Sequence, residues 1–418
     1  MEEKTVKPIR LGVILLALLL AAMAIVPVVS AEGGGFAHAQ SGLVSNDQAQ
    51  NVALMNIHDI DRSAENFSDW MDSSVSFSNT YFDLSGSPTA YAFDVIKNGK
   101  YDGYILISAN FNNYPVLECS KGVIPALSQD SATEALSVVR ERTKTRGLTS
   151  TGPKPIYLGA TFYLTEYPLA DKSGTIVDHV FVDLTSKKIV NLSETGREIP
   201  VQKTDMKKDQ QSKKEAITKL WNEQNLTNQP GISPNLMSSN YIYDVPFYQW
   251  YLGCSPTAAG MVLGYWSSHG YPNLPTGTTL INELSTAMGT GSTWPLNGVT
   301  WPIFIDDGIE TVARNHGYPS FDGVENIWLY GDHFGEMASE VDAQRPFVLS
   351  MAAAGTAVGE PTAYGYHSVT GVGYVRGAVQ NYITIHDTWN NPPNYPLNSD
   401  RLIANGNWAA AMTDWVRH

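Results

Sequence analysis

The spacing of apolar and polar residues changes several times along the chain, and each change marks an element. Between Ser45 and about Arg62, the residues Val52, Leu54, Met55, Ile57 and Ile60 recur at helical spacing, which predicts one amphipathic helix. From Thr89 the period becomes two. The runs TAYAFDVI and DGYILISA flank Asn98-Gly99, a pair of turn residues that predicts a hairpin, with a third strand in PVLEC. Ser131 and Glu134 form a capping-box pattern that opens a helix reaching about Thr145. Strands follow in IYLGATFYL, VDHVFVDL and KKIVNLS. Residues 32–200 are therefore expected to form a smaller α+β domain.

After residue 200 the pattern breaks. Lys203, Lys207, Lys208, Lys213, Lys214 and Lys219 crowd a polar, helix-like stretch that ends near Pro230 and Pro234, so residues 201–238 read as an interdomain linker. From Tyr241 charge becomes sparse while Gly, Pro and aromatic residues become frequent, as in a second compact domain over residues 239–418. The 418 residues exceed one ordinary core, which agrees with two folded parts. With 43% hydrophobic and 16% charged residues, most of the chain has enough apolar surface to bury.

The formal net charge of -14 argues against nucleic-acid binding, which needs a basic surface to meet phosphate. Two cysteines, Cys119 and Cys254, fit neither a disulfide framework nor a thiolate metal site, and a bridge between them would silence both thiols. At the N-terminus, Lys4, Lys7 and Arg10 precede an apolar run from Leu11 to Val28 and the small-residue site Val29-Ser30-Ala31. Residues 1–31 thus read as an export signal cut after Ala31, with an uncleaved anchor through residues 11–28 as the alternative. Either way the rest of the chain is expected to be secreted or at the cell surface.

The string DVPFYQWYLGCSPTAAGMVLGYW, from Asp244 to Trp266, carries the chemistry. Pro256 suits a first helical turn, and Ala258, Ala259, Val262, Leu263 and Trp266 supply a buried face, so Cys254 is expected at a helix N-terminus. There the helix dipole favours the thiolate, the attacking species. Gln249, five residues earlier, is a candidate to join the Cys254 backbone N–H in an oxyanion hole. Further on, YHSVTGVGYV and NYITIHDTW read as two strands of a hairpin turning at Arg376-Gly377-Ala378, a register that sets His367 opposite Asp387. A nucleophile, a base and a group that orients the base are what acyl transfer requires.

Other readings of single residues are plainer. Cys119, in an apolar strand, is expected to be packing; His386 points to the opposite sheet face from His367 and is a poor base. His269, His316 and His333 lack partners at metal-ligand spacing, and Asp306-Asp307 read as a helix cap. Trp250, Trp294, Trp301 and Trp389 are core residues or line a cleft. No cofactor or metal is expected.

The string GCSPTAAGMVLGYW, with Gln249 upstream and YHSVTGVGY and HDTW downstream, resembles the papain-like peptidases of C-39-like type, related to bacteriocin double-glycine leader peptidases. The resemblance runs from about Tyr241 to the C-terminus. It implies an α+β papain-like fold in which a Cys-bearing helix packs on an antiparallel sheet, cysteine peptidase activity on a peptide or protein substrate, and catalytic roles for Gln249, Cys254, His367 and Asp387. Ser255 departs from the glycine that many members carry after the cysteine. The absence of a transporter domain keeps the namesake's leader substrate from being carried over. The stretch AYAFDVIKNGKYDGYILISANFNNYPVLECS resembles propeptides of secreted cysteine peptidases, which implies a zymogen whose N-terminal domain is an intramolecular inhibitor, released by cutting in the linker. Two rivals stand beside this. An amidase or transglutaminase-like acyl transferase would use the same groups with a different acceptor, and a silent papain-like surface or adhesion protein would keep the shape without turnover.

Overall fold

The computed structural model describes residues 42–64, 69–124, 129–144, 146–184, 188–190, 197–198, 203–226, 238–291, 298, 300–329, 333–352, 362–363, 366–388, 400–408 and 410–418. The first helix, Asn46–Ser63, covers the stretch of helical apolar spacing, and its start is a capping box: the Ser45 hydroxyl accepts from the Gln48 amide N–H, and the Gln48 side chain accepts in return from the Ser45 backbone. The Pro88–Lys97 and Lys100–Ser108 strands form the expected hairpin, and Asn98 (φ 51°) and Gly99 (φ 74°) take the left-handed conformations that its two-residue turn needs. The helix expected from Ser131 begins two residues earlier, at Gln129. IYLGATFYL folds as two strands, Lys154–Tyr157 and Tyr163–Ala170, because Gly159 (φ 133°) and Thr161 (φ 62°) reverse the chain between them.

Helices and strands occur together as an α+β fold, with seven α-helices among the described residues. A single sheet runs through both halves. On one side lie Asp322–Leu329, Ala410–Arg417, Phe347–Ala352, Tyr366–Arg376, Asn381–His386 and Arg401–Ala404 in spatial order; on the other lie Val116–Ser120, Lys100–Ser108, Pro88–Lys97 and Ser74–Phe82. The joint is the antiparallel pair Arg401–Ala404 with Val116–Ser120, which sets Leu402 opposite Cys119.

The core follows the same joint. One apolar cluster surrounds the Cys254–Ser268 helix; a second combines Ile57, Phe93 and Ile105 from the N-terminal half with Val375, Tyr382 and Leu402 from the C-terminal half. The lysine-rich stretch adds to it. Residues Lys203–Leu226 form a helix that buries Ile217 and Trp221, and the buried Lys213 donates from Nζ to the Gly406 and Trp408 carbonyls at 2.5 and 2.8 Å. Residues 41–418 form one compact unit. No helix among the described residues is long and apolar enough to cross a membrane. The expected export signal at residues 1–31 lies outside the described residues, as do Trp294, Trp389 and the 227–237 part of the linker.

Candidate active site

The Cys254–Ser268 helix begins at the cysteine itself. Its approach is strained: Leu252 has φ 62° and Gly253 φ 157°, and a Cβ on Gly253 would lie 2.8 Å from the Gly298 carbonyl oxygen. Thr257 secures this turn by donating from its hydroxyl to the Tyr251 and Gly253 carbonyls at 3.0 and 2.7 Å, and by accepting from the Tyr251 N–H. The helix start is then pinned to the strand that carries the histidine. Ser255 Oγ lies 2.9 Å from Ser368 Oγ, which is 2.8 Å from Ser350 Oγ, and Thr370 Oγ1 donates to the Ala258 carbonyl at 3.0 Å. The Cys254 sulfur accepts from the Ser368 backbone N–H and from the hydroxyl and N–H of Ser255. So Cys254 and the residue after His367 are in direct contact, and Ser255, where the resembling family often has glycine, touches the sulfur.

His367 and Asp387 do not face each other as expected. The loop after Arg376 is four residues long, closed by Gly377 N–H donating to the Gln380 carbonyl, so Arg376 pairs with Asn381. With a bulge between Gly371 and Gly373, the ladder ends at Thr370 opposite His386. One further step would set Asp387 opposite Val369, two residues along the same face from His367. The error came from taking Gly377 as the centre of a short turn. Both residues are nonetheless buried, at 5% and 2% exposure. Among the described residues His367 Nε2 has no hydrogen-bond partner, while Asp387 Oδ2 accepts from Arg401 Nε at 2.7 Å and is 2.5 Å from Nη2. Gln249 is exposed on the loop before the cysteine, and the next residue, Trp250, donates its N–H to the Thr388 carbonyl at 3.2 Å. His386 has its own partners, Asp400 at 3.0 Å and the Tyr241 hydroxyl at 3.2 Å.

The N-terminal half reaches into this site. The tip of the Tyr157/Tyr163 hairpin carries Phe162, whose ring meets the His367 ring edge to face with centroids 6.0 Å apart. Beside it, Ala160 N–H donates to the Asn407 carbonyl at 3.1 Å. Asp183, at the end of the Ile176–Asp183 strand, is near enough to Cys254 for its charge to oppose thiolate formation.

Burial dominates the electrostatics that result. It raises the Cys254 thiol above its ordinary range, although the donors from Ser368 and Ser255 pull the other way. The same cause pushes His367 down to about 4. Both groups are thus held neutral near pH 7, and the dipole advantage expected at the helix start is outweighed. Cys119 and Cys254 are free thiols, and Cys119 is buried in the Val116–Ser120 strand with its thiol raised by desolvation. Among the described residues no group of three or more His, Cys, Asp or Glu is arranged to hold a metal.

A helix that opens on a half-buried cysteine and packs on an antiparallel sheet bearing a histidine is an arrangement suited to a cysteine peptidase, a hydrolase. Residues 242–412 match the Peptidase_C39 like family. Among solved structures, a fragment of Prevotella intermedia prointerpain A bearing a Cys-to-Ala mutation aligns at 11% identity with a TM-score of 0.33, covering 82% of this chain and 98% of that one. No curated protein matches the chain.

Four residues of the site were not singled out from sequence: Phe162, Ser368, Arg401 and Glu118. Only Glu118 left a trace, as the one charge inside the otherwise apolar run PVLEC. The others depend on contacts between segments far apart in the chain.

Proposed function

We propose that the protein is a secreted cysteine peptidase made as a zymogen, with Cys254 as nucleophile, His367 as base, Asp387 as the residue orienting the histidine and Gln249 as an oxyanion donor. The observation that carries this reading is the pinning of the Cys254 helix start onto the His367 strand through Ser255 and Ser368, with the Phe162 hairpin tip seated against the imidazole. In the active form His367 takes the thiol proton and the sulfur attacks a peptide carbonyl carbon, giving a tetrahedral oxyanion held by the helix-start N–H and Gln249. Collapse breaks the C–N bond, and the imidazolium proton goes to the departing amine. Water, deprotonated by His367, then releases the acid from the thioester and restores the thiol.

The N-terminal half accounts for latency by two routes. Phe162 fills the approach to the imidazole, and desolvation with the nearby Asp183 charge keeps the sulfur protonated. Activation on this reading is cutting within 201–238 and departure of the N-terminal half. Secreted wild type is to be compared with Cys254→Ala for linker processing and casein cleavage. Loss of both in the variant is expected; persistence of casein cleavage would end the proposal. A run with an added primary amine separates hydrolysis from transfer, because amide product without free acid would make the enzyme an acyl transferase.

A further inference from the structure

Arg401 opens the strand at the joint of the sheet, pairing with Ile385 on one side and Ser120 on the other, and its side chain is 4% exposed. A guanidinium this deep needs anionic partners, since an unpaired buried charge is far costlier than a paired one. It has two carboxyl partners, one from each half of the chain, although burial pushes that of Glu118 up to about 7. Nε and Nη2 both lie on Asp387 Oδ2, at 2.7 and 2.5 Å, and Nη1 donates to Glu118 Oε1 at 2.7 Å and to the Tyr104 hydroxyl.

Glu118 is itself enclosed. Its Oε1 accepts from the Tyr104 and Tyr163 hydroxyls at 2.7 and 2.5 Å, and its Oε2 accepts from the Tyr157 hydroxyl and the Thr161 N–H at 3.4 and 3.3 Å. Thr161 immediately precedes Phe162. One hairpin tip therefore touches the imidazole directly through Phe162 and is bonded to the carboxylate that shares a guanidinium with Asp387.

We propose that Arg401 is a positioning residue for Asp387, and that Glu118 is its second anchor, through which the seating of the N-terminal half is felt at the catalytic carboxylate. This rests on the reading of Asp387 as the residue that orients His367. Gripping one carboxylate oxygen with two donors fixes the rotamer of Asp387 and keeps it ionised in a buried setting, where it supports an imidazolium. A guanidinium is suited to this because its planar fork serves two carboxylates at once, which an ammonium cannot match in geometry. While Glu118 is seated, Arg401 is held from both sides. Once it leaves, Nη1 loses its anion and Asp387 becomes the sole carboxylate on the guanidinium.

The test has two arms. In the secreted active protein, Arg401→Gln is expected to lower kcat at least tenfold with KM within about twofold, and to move the alkaline limb of the kcat/KM profile to lower pH, because the imidazolium loses an ionised partner. A merely structural role would reduce the amount of active protein and leave the limb where it is, and that result overturns the proposal. If Arg401→Gln does not fold, Arg401→Lys, which keeps the charge and gives up the fork, tests the positioning alone: kcat is expected to fall with the limb in place, and an unchanged kcat is equally fatal. Asp387→Asn is run alongside: full activity with an unchanged profile there would sink the triad reading itself, whatever residue 401 does. In the uncut chain, Glu118→Gln is expected to speed alkylation of Cys254 by iodoacetamide several-fold, and to lose that effect in the Arg401→Gln or Arg401→Lys background. An equal effect in both backgrounds, or none in either, removes Glu118 as an anchor.

Discussion

Replacing Phe162 by alanine removes a ring that the N-terminal half sets against the His367 imidazole. Full burial of a phenylalanine contributes roughly 1.5–3 kcal/mol, and because Phe162 is only partly buried about half of that applies. The edge-to-face contact adds about 0.5–1.5 kcal/mol. Together these give about 2 kcal/mol of seating energy, a factor of roughly 30 in the population of chains with an open site. Iodoacetamide alkylation of Cys254 in the uncut chain reads this population, with the modified cysteine identified by peptide mapping. Cys119, buried in a strand, serves as the internal control for global unfolding. Phe162→Ala is expected to raise Cys254 labelling about 30-fold while Cys119 labelling stays at the wild-type rate. A Cys254 rate within twofold of wild type in a folded variant would refute the reasoning, because the hairpin tip would then contribute nothing to closure.

Three further outcomes follow from single buried groups. His367 is held near 4 in the fold against 6.5 when unfolded, so the unfolded chain binds the extra proton between those values and stability falls as pH drops from about 6.5 to about 4. His367→Gln should flatten the urea midpoint across that window by up to roughly 3 kcal/mol, and an unchanged slope would count against the burial of the ring. Asp414 has both carboxylate oxygens buried without a hydrogen-bond partner among the described residues, and desolvation with Asp306 and Glu325 nearby raises its pKa well above the ordinary value, so its stability cost appears as pH rises past the unfolded value. Asp414→Asn should therefore raise Tm at pH 7.5 and change it little at pH 4; equal shifts at both would refute this. Lys213→Met leaves the Gly406 and Trp408 carbonyls without their donor, a loss of about 1–3 kcal/mol that should speed proteolysis within Lys203–Leu226, and an unaltered cutting rate would show that the helix is held elsewhere.

What was legible in the sequence was what local chemistry decides. The amphipathic Asn46–Ser63 helix, the Asn98-Gly99 turn and the helix that starts at Cys254 each depend on residues a few positions apart, and each formed where its pattern stood. The His367 strand and its partner were equally legible as strands. Their register was not, because it depends on a four-residue loop and a bulge whose only signal is several glycines compatible with other turns. The lysine-rich stretch illustrates the same limit from another side. Its composition reads as solvated, yet Ile217 and Trp221 give it one apolar edge, and that edge is filled by the N-terminal helix and the joint strands. Arg401 and Glu118 were invisible for a stronger reason: they lie 283 positions apart and acquire meaning only once the two halves of the sheet pair.

The electrostatics of Cys254 show how much the second half of a molecule can reverse what the first implies. A helix N-terminus stabilises an adjacent anion by about 0.3–1 kcal/mol at exposed sites, and the Ser368 and Ser255 donors act in the same direction. Burial opposes them and wins, raising the thiol, and the same burial lowers the imidazole, so that neither member of the ion pair needed for attack is charged. Part of that burial comes from residues outside the peptidase match. Phe162 covers the imidazole, Asp183 adds negative charge near the sulfur, and Ala160 joins the apolar cluster around the cysteine helix. Removing those residues would restore water to His367 and withdraw the opposing charge from Cys254, shifting both groups toward the charged pair without moving the helix or the strand that carry them. On the zymogen reading proposed above, latency and readiness would share one backbone, and the difference between them would be how well the two groups are solvated.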